Sequence, residues 1–226
     1  MIKGRNVVAL VPIKEHSERV EGKNFRPFCG KPLYHHILHT LADMDSIDEV
    51  VVDTDSRRVI EEAPALSHKI TPVERPASLR GDRVSTNLLF EYDMSRVEAG
   101  LFLQTHATNP LLKQKSIDRA LQMFCDHESD YDSLFSVNRF FSRFYLPNGT
   151  PVNHDPDKLI RTQDLEPVYE ENSCIYVFTR QSFQKRRHRI GNRPFMLPIP
   201  HVEAIDIDDE FSFRLAELLA MYEHTP

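Results

Sequence analysis

Short apolar runs, most of them rich in valine and isoleucine, alternate with segments of helical periodicity along much of the chain. Apolar runs of β-branched residues are typical of buried strands, and apolar residues three or four positions apart are typical of amphipathic helices. The pattern predicts strands at residues 7–11, 50–53, 101–104, 133–137, 174–178 and 195–199, and helices at 33–41, 57–63, 86–97, 116–124, 181–187 and 211–222. Such alternation indicates an α/β fold with a Rossmann-like, doubly wound and mostly parallel sheet.

One region departs from this alternation. Around Asn148 and Gly149 the sequence is typical of a hairpin turn, and a long polar stretch follows it. We therefore interpret residues 138–170 as an arm inserted into one domain that spans residues 1–226.

The composition excludes several classes of protein. The chain has 226 residues with 40% hydrophobic and 27% charged, which is typical of a folded globular domain. Its net charge of -6 argues against broad nucleic-acid binding. No apolar stretch approaches the roughly 18 residues of a membrane-spanning helix. The three cysteines are far apart and form no C-x-x-C motif, which favours a reducing, cytoplasmic location over a disulfide framework or a zinc ribbon.

A cation-rich loop follows the first predicted strand. Its basic residues are Lys14, Arg19, Lys23, Arg26 and Lys31. Open α/β sheets bind ligands at the carboxyl ends of their strands, where fixed cations suit a polyphosphate. The loop contains neither the G-x-x-x-x-G-K-[ST] motif of P-loop ATPases nor the G-x-G-x-x-G motif of dehydrogenases. On charge alone, a solvated surface loop is an equally good interpretation.

An acidic pair lies near the carboxyl terminus, in the segment AIDIDDE at residues 204–210. In an extended segment Asp206 and Asp208 point to the same side, because side chains alternate. Two carboxylates on one side are suitable ligands for Mg²⁺. The alternative is that Asp208 or Asp209 caps the helix that follows, and both interpretations can hold at once.

The loop and the acidic pair together carry a family resemblance. The segment SERVEGKN at residues 17–24, followed by GKPL at residues 30–33, resembles the opening signature of the acylneuraminate (CMP-sialic acid) cytidylyltransferase family. The segment at 204–210 is similar to the family's IDIDxxxD motif. Two departures are Lys14, where the family has arginine, and Glu21, where it has proline. Lysine keeps the charge but lacks the bidentate fork of arginine.

The resemblance implies roles for residues of the loop and of a later segment that begins RPASL at residue 75. It implies that Lys14 and Lys23 hold the triphosphate of CTP, and that Asp206 and Asp208 hold the metal; these four are the expected catalytic residues. The residues expected to complete the CTP site are Ser17, Arg19, Asn24, Arg75 and Thr86. Among them, Asn24 would contact the nucleoside and Arg75 would face the cytosine.

The acceptor sugar is expected to meet a different set of residues. Gln104 is expected to point toward the sugar, and Arg161 is a natural partner for its carboxylate. Arg143 is a further candidate on the arm. Surface or dimer-interface arginines are the alternative for both. His106 is either a sugar contact or a polar loop residue.

The resemblance covers nearly the whole chain. It implies Mg²⁺-dependent transfer of CMP from CTP to the anomeric hydroxyl of a sialic-acid-like 2-keto acid sugar, with release of pyrophosphate. It also implies a homodimer in which the arm at 138–170 reaches across. The net charge and the apolar pattern predict no nucleic-acid or membrane partner. Two alternatives stay open: a different acidic acceptor, such as an octulosonate or a non-sugar acid, and a nucleotide-binding homologue without catalysis.

Overall fold

The computed structural model describes residues 1–17, 19–81 and 83–223. The nine strands of this part of the chain are β1 Val7–Ile13, β2 Pro27–Phe28, β3 Lys31–Pro32, β4 Glu49–Thr54, β5 Ile70–Glu74, β6 Leu101–Gln104, β7 Ser133–Phe140, β8 Val168–Phe178 and β9 Pro194–Pro198. The six α-helices are α1 Leu33–Ala42, α2 Arg57–Glu62, α3 Thr86–Met94, α4 Gln114–Asp126, α5 Arg180–Arg186 and α6 Glu210–Glu223.

Seven strands form one sheet in the order β5-β4-β1-β6-β8-β7-β9. Only β8 runs antiparallel to its neighbours, β6 and β7. The remaining pairs are parallel. The predicted α/β fold with a mostly parallel sheet is therefore confirmed.

Strand β5 has no counterpart in the sequence prediction. Its sequence is ITPVE, and only Ile70 is buried. It lies at the edge of the sheet, where Pro72 is tolerated because one side of the strand needs no hydrogen-bonding partner. An edge strand with one buried residue lacks the apolar run on which the prediction depends.

The core lies on both faces of the sheet, and strand β1 is buried on both. Val7, Ala9 and Val11 belong to the cluster that includes residues of α1 and α4. Val8 and Leu10 belong to the cluster with Phe90 of α3 and with α5. A strand covered on both faces reads as a continuous apolar run, which is why β1 is so evident in the sequence.

The inserted region begins and ends inside the sheet. Asn138 pairs with Glu170 and Phe140 with Val168, so these ends of the 138–170 region belong to β7 and β8. Between the strands lie residues 141–167. The predicted hairpin is present there, because Tyr145 and Pro151 form an antiparallel bridge and Gly149 has a φ of 83°.

The strand order changes direction next to β1. From β1 the chain proceeds to β4 and β5 on one side and then to β6 on the other. Ligands of open α/β sheets bind in the crevice outside the carboxyl ends of strands at such a switch point. In this fold the loops that follow β1 and β6 flank that crevice. In the described part of the chain, no helix has the length and apolar character needed to cross a membrane.

Candidate active site

A cavity of about 440 Å³ lies at this crevice. Every residue predicted to bind CTP or metal contributes to its wall: Lys14, Ser17, Arg19, Lys23, Asn24, Arg75, Thr86, Asp206 and Asp208. These residues come from parts of the chain that are far apart in sequence. The fold thus brings the cationic loop, the segment at residue 75 and the acidic pair to one place.

Lys23 is the most buried cation of the loop. It begins a short 3-10 turn after Gly22, whose φ of 59° is the left-handed conformation that glycine adopts without strain. The side-chain ammonium donates to the backbone oxygen of Ile207 and lies 3.8 Å from Asp208 Oδ1. Lys23 is 9% exposed, and burial lowers its pKa although Asp206 and Asp208 act in the opposite direction. An anion in the cavity would therefore stabilise this partly desolvated cation.

The acidic pair has unsatisfied hydrogen-bonding capacity. Oδ1 of Asp206 is buried and has no hydrogen-bond partner among the described residues. Burial raises the pKa of Asp206, and a hydrogen bond from Thr108 opposes this shift. Asp208 Oδ1 lies 2.7 Å from Arg19 Nη2. A divalent cation would supply the positive charge that the buried oxygen lacks, so the donor set fits Mg²⁺.

The donors from the described residues do not complete a metal site by themselves. Nowhere in residues 1–17, 19–81 and 83–223 do three His, Cys, Asp or Glu side chains form a group that could hold a metal ion. Mg²⁺ commonly uses one or two carboxylates, with waters and substrate phosphates as its other ligands. The pair is therefore suited to an ion that arrives with a phosphorylated substrate.

Capping of α6 uses the next aspartate in the chain. Asp209 Oδ1 accepts a hydrogen bond of 2.7 Å from the backbone N–H of Ser212. This hydrogen bond is the main reason that the pKa of Asp209 is lowered. Asp208 contributes only its backbone N–H to this turn, 3.0 Å from Ser212 Oγ. Both interpretations of the acidic segment thus apply to different residues, since Asp209 caps the helix and Asp208 faces the cavity.

Asn24 connects the middle of the cationic loop to its beginning. Its side-chain amide donates to the backbone oxygen of Lys14 over 2.8 Å. Its Oδ1 is buried and has no hydrogen-bond partner among the described residues. The expected contact between Asn24 and the nucleoside stays a prediction.

Arg75 is held by a buried ion pair. It is 1% exposed, and its Nε donates to Asp53 Oδ1 while Nη2 donates to the backbone oxygen of Asp53 over 3.1 Å. This pairing fixes the guanidinium in the cavity wall. The predicted contact between Arg75 and cytosine would use the donors that Asp53 leaves available.

A second carboxyl, Asp93 of α3, lies beside Asp53. Neither oxygen of Asp93 has a hydrogen-bond partner among the described residues, nor does Oδ2 of Asp53. Burial and the neighbouring charge of Asp53 raise the pKa of Asp93 to about 8. Burial also raises the pKa of Asp53, although the charge of Arg75 opposes this shift. The two carboxyls therefore share a proton near neutral pH, which Asp93 can donate to Asp53 while Asp53 stays paired with Arg75.

Replacing Asp93 with asparagine is expected to flatten the pH dependence of stability. As the pH rises from about 4 to about 8, the unfolded chain has lost the Asp93 proton and the folded chain retains it, so the contribution of Asp93 to stability falls by on the order of 1 kcal/mol per pH unit. Asparagine keeps a donor for Asp53 and has no proton to lose. The free energy of unfolding in urea, measured at intervals from pH 5 to pH 8, should decline less in the Asp93→Asn variant.

Glu91→Gln, on the exposed face of the same helix, is the control. An unchanged wild-type slope in Asp93→Asn would contradict the protonated state.

The residues predicted for the sugar are not in the cavity wall. Gln104 is fully buried behind it, where Oε1 accepts a 2.7 Å hydrogen bond from Arg189. Arg143 donates to the backbone oxygen of Ile160, and Arg161 lies 2.7 Å from Asp164. Within one chain, local partners hold both arginines on the 141–167 segment, and their approach to the sugar stays a prediction. Their contact with the cavity of a second copy stays a prediction.

Other residues complete the wall. The polar ones that the sequence analysis did not assign are His16, Thr108, Ser173 and Arg189. Ser173 lies in an irregular part of β8 with a φ of 59°, and such bulges often redirect side chains beside active sites. His106, for which a polar loop residue was the alternative, also lines the cavity. Burial, Arg189 and Lys23 lower its pKa to about 3, so its ring is neutral.

Comparison with known proteins identifies the family. The sequence model described as Cytidylyltransferase matches residues 8–217. The chain belongs to the cytidylyltransferase family. The matched region contains the cationic loop and the acidic pair, so the sites that suggested the family by resemblance lie inside the region that establishes it.

The names of similar proteins refer to enzymes that act on acidic sugars. The CMP-N,N'-diacetyllegionaminic acid synthase of Legionella pneumophila is 27% identical over 228 residues, which cover 94% of this cytidylyltransferase and 95% of that protein. A Helicobacter pylori protein is named pseudaminic acid cytidylyltransferase and UDP-2,4-diacetamido-2,4,6-trideoxy-beta-L-altropyranose hydrolase. It is 23% identical over 217 residues, and the match spans 93% of this chain but 42% of that protein.

A solved structure supports the fold. The structure of CMP:2-keto-3-deoxy-manno-octonic acid synthetase complexed with CTP has a TM-score of 0.68 with this cytidylyltransferase. The two chains are 18% identical, and the match covers 96% of this chain and 99% of that one. At this identity the likeness shows a shared cytidylyltransferase fold.

Proposed function

We propose that this cytidylyltransferase transfers CMP from CTP to the anomeric hydroxyl of a sialic-acid-like 2-keto acid sugar, with Mg²⁺, and releases pyrophosphate. The main support for this proposal is that Lys14, Arg19 and Lys23 line the same cavity as Asp206 and Asp208. The names of the Legionella and Helicobacter relatives, which specify legionaminic and pseudaminic acid, support the choice of acceptor class.

The reaction is a displacement at phosphorus. The acceptor oxygen forms a bond to the α-phosphorus of CTP, the bond to pyrophosphate breaks, and the hydroxyl proton is lost. Such transfers depend on positioning and on neutralisation of charge. Lys14 and Lys23 stabilise the charge that develops on the leaving pyrophosphate. Asp206 and Asp208 would hold Mg²⁺, which when bound supplies further positive charge to the phosphates.

His106 is a poor candidate for the group that accepts the proton. A general base works best when its pKa lies near the working pH, and the pKa of His106 is about 3. In this proposal the neutral ring of His106 offers hydrogen-bonding groups at the cavity wall.

The enzyme acts as a homodimer, with residues 141–167 forming part of the interface. Exposed apolar side chains of this segment support the assignment: Phe141, Tyr145, Leu146, Val152, Leu159 and Ile160. Their burial against a second copy would remove apolar surface from water. A chain that sediments as a monomer at micromolar concentration would contradict this part of the proposal.

The function is tested by pyrophosphate release. The purified chain is mixed with CTP, Mg²⁺ and one acid at a time: N-acetylneuraminic, legionaminic, pseudaminic or an octulosonic acid, with a non-sugar 2-keto acid as a further arm. We expect release with one of the nine-carbon acids, little with UTP in place of CTP, and none without an acceptor. Release only with the octulosonic or non-sugar acid would overturn the acceptor class. Binding of CTP without release in every arm would favour a non-catalytic homologue.

A further inference from the structure

Arg189 is a cation in the cavity wall, and none of the sequence motifs gives it a role. It lies between α5 and β9, and its side chain is 15% exposed. Nη1 donates to Gln104 Oε1 over 2.7 Å, and Nη2 donates to the Tyr176 hydroxyl over 2.9 Å. The guanidinium carbon lies 3.7 Å from the centroid of the Tyr176 ring. Contacts with Gln104 at the end of β6 and with Tyr176 of β8 thus fix the guanidinium in place.

The groups that hold Arg189 are mostly neutral. Its ion pair with a described residue is with Glu171, whose Oε1 lies 3.7 Å from Nη2, beyond hydrogen-bonding distance. The same Glu171 oxygen accepts a hydrogen bond from the Tyr176 hydroxyl. Burial lowers the pKa of Arg189, although arginine remains charged. The result is a desolvated cation with incomplete neutralisation, and an anion in the cavity would stabilise it.

Arg189 retains N–H donors that can bind a ligand in the cavity. A guanidinium has five N–H donors, and the two hydrogen bonds described above use one from each terminal nitrogen. Carboxylates bind arginine through such a planar fork. The rigid placement by Gln104 and Tyr176 means that little side-chain entropy is lost when the anion binds.

Arg189 comes from a different part of the chain than the cations assigned to the triphosphate. Lys14, Arg19 and Lys23 lie on the loop after β1, beside the acidic pair. Arg189 contacts Gln104 at the end of β6, and His106, on the loop after β6, is within electrostatic reach of both Arg189 and Lys23. Because His106 is neutral, it adds no positive charge that would draw the triphosphate toward Arg189. The two substrates of the proposed reaction carry two separate anionic groups, a triphosphate and a carboxylate.

We propose that Arg189 binds the carboxylate of the acceptor sugar, and that Gln104 acts as a positioning residue for it. This inference rests on the proposed function. It assigns to Arg189 the task that sequence reasoning gave to Arg161, which pairs with Asp164 outside the cavity.

The test compares an acidic acceptor with its carboxamide in variants of Arg189. In Arg189→Gln, the KM for the acid should rise roughly 10- to 100-fold, since a charge-assisted pair is lost. The Kd for CTP should change by less than about twofold. The wild-type preference for the acid over the carboxamide, as a ratio of kcat/KM, should fall toward one. Arg189→Lys, which keeps the charge and loses the fork, should lie between the two.

Two further variants keep the test decisive. Arg187→Gln is the matched control, because Arg187 is close in sequence, 70% exposed and paired with Glu91. Its kinetics should equal those of wild type. Glu171→Gln removes the competing carboxylate and retains an acceptor for Tyr176, so the KM for the acid should fall a few-fold. This variant tests the idea even if Arg189→Gln does not fold.

The outcomes separate this inference from the proposed function. No release by wild type with any acid would count against the proposed function. Wild-type turnover with an unchanged acid-to-carboxamide ratio in Arg189→Gln would overturn the role of Arg189 alone. Equal weakening of CTP and acid binding in that variant, or an unchanged or higher KM in Glu171→Gln, would also overturn it.

Discussion

Replacing Asp206 with asparagine is expected to lower kcat by on the order of 1000-fold, because metal-ion charge stabilisation is worth several kcal/mol and each 1.36 kcal/mol is about tenfold in rate. Asparagine keeps the shape of the side chain and removes the carboxylate whose buried Oδ1 has no hydrogen-bond partner among the described residues. It also removes a charge whose burial is unfavourable, so the fold should retain its stability. Rates of pyrophosphate release at saturating substrates, with urea unfolding in parallel, measure both effects.

Asp209→Asn is the control for Asp206→Asn. Asp209 is exposed, three residues along the same segment, and caps α6. Asparagine is as good a cap as aspartate, so activity and stability should both stay near wild type. An Asp206→Asn enzyme that keeps more than a tenth of wild-type kcat would contradict the assignment of Asp206 to the metal.

The second large effect is expected from Lys23→Met. Methionine keeps an unbranched side chain in the space of the buried lysine stem and removes the ammonium beside Asp208. Loss of one group that stabilises charge in the transition state typically costs about 100- to 1000-fold in kcat. The kcat should fall more than the affinity for CTP, because the leaving pyrophosphate carries more negative charge in the transition state than in bound CTP. Steady-state kinetics and calorimetric titration with CTP separate the two quantities.

Lys31→Met is the control for Lys23→Met. Lys31 lies on the same stretch between β1 and α1, but it is exposed and outside the cavity wall. This variant should keep wild-type kinetics. If kcat falls by the same factor in both variants, the net charge of the loop explains the effect, and the assignment of a specific role to Lys23 is wrong.

Local pattern was sufficient to predict the parts of the fold that are buried on both sides. Strand β1 is recognisable in the sequence because its residues are apolar on both faces, whereas β5 is half exposed and contains Pro72. The acidic pair was also predictable. The two-residue period of an extended segment sends Asp206 and Asp208 to the same cavity and leaves Asp209 for the helix cap.

The sugar side of the cavity was harder to predict, because it depends on turns and tertiary contacts. Arg189 ends a basic run, residues 185–189, that is typical of a solvated helix end. Arg187 adopts a φ of 52° after α5, and the chain then returns toward the sheet, where Arg189 packs on Tyr176. Arg161 has a suitable side chain for a carboxylate, and motif spacing does not show that Asp164 pairs with it in the same chain.

The most direct test of the proposed function is the identity of the product. The enzyme is incubated with CTP, Mg²⁺ and N-acetylneuraminic, legionaminic or pseudaminic acid, and the mixture is followed by ³¹P NMR and mass spectrometry. We expect one acid to give a new phosphodiester signal, a mass equal to CMP joined to the acid with loss of water, and an equal amount of pyrophosphate. CTP that binds but stays intact with every acid, or that yields CMP and pyrophosphate without a joined product, would contradict the proposed function.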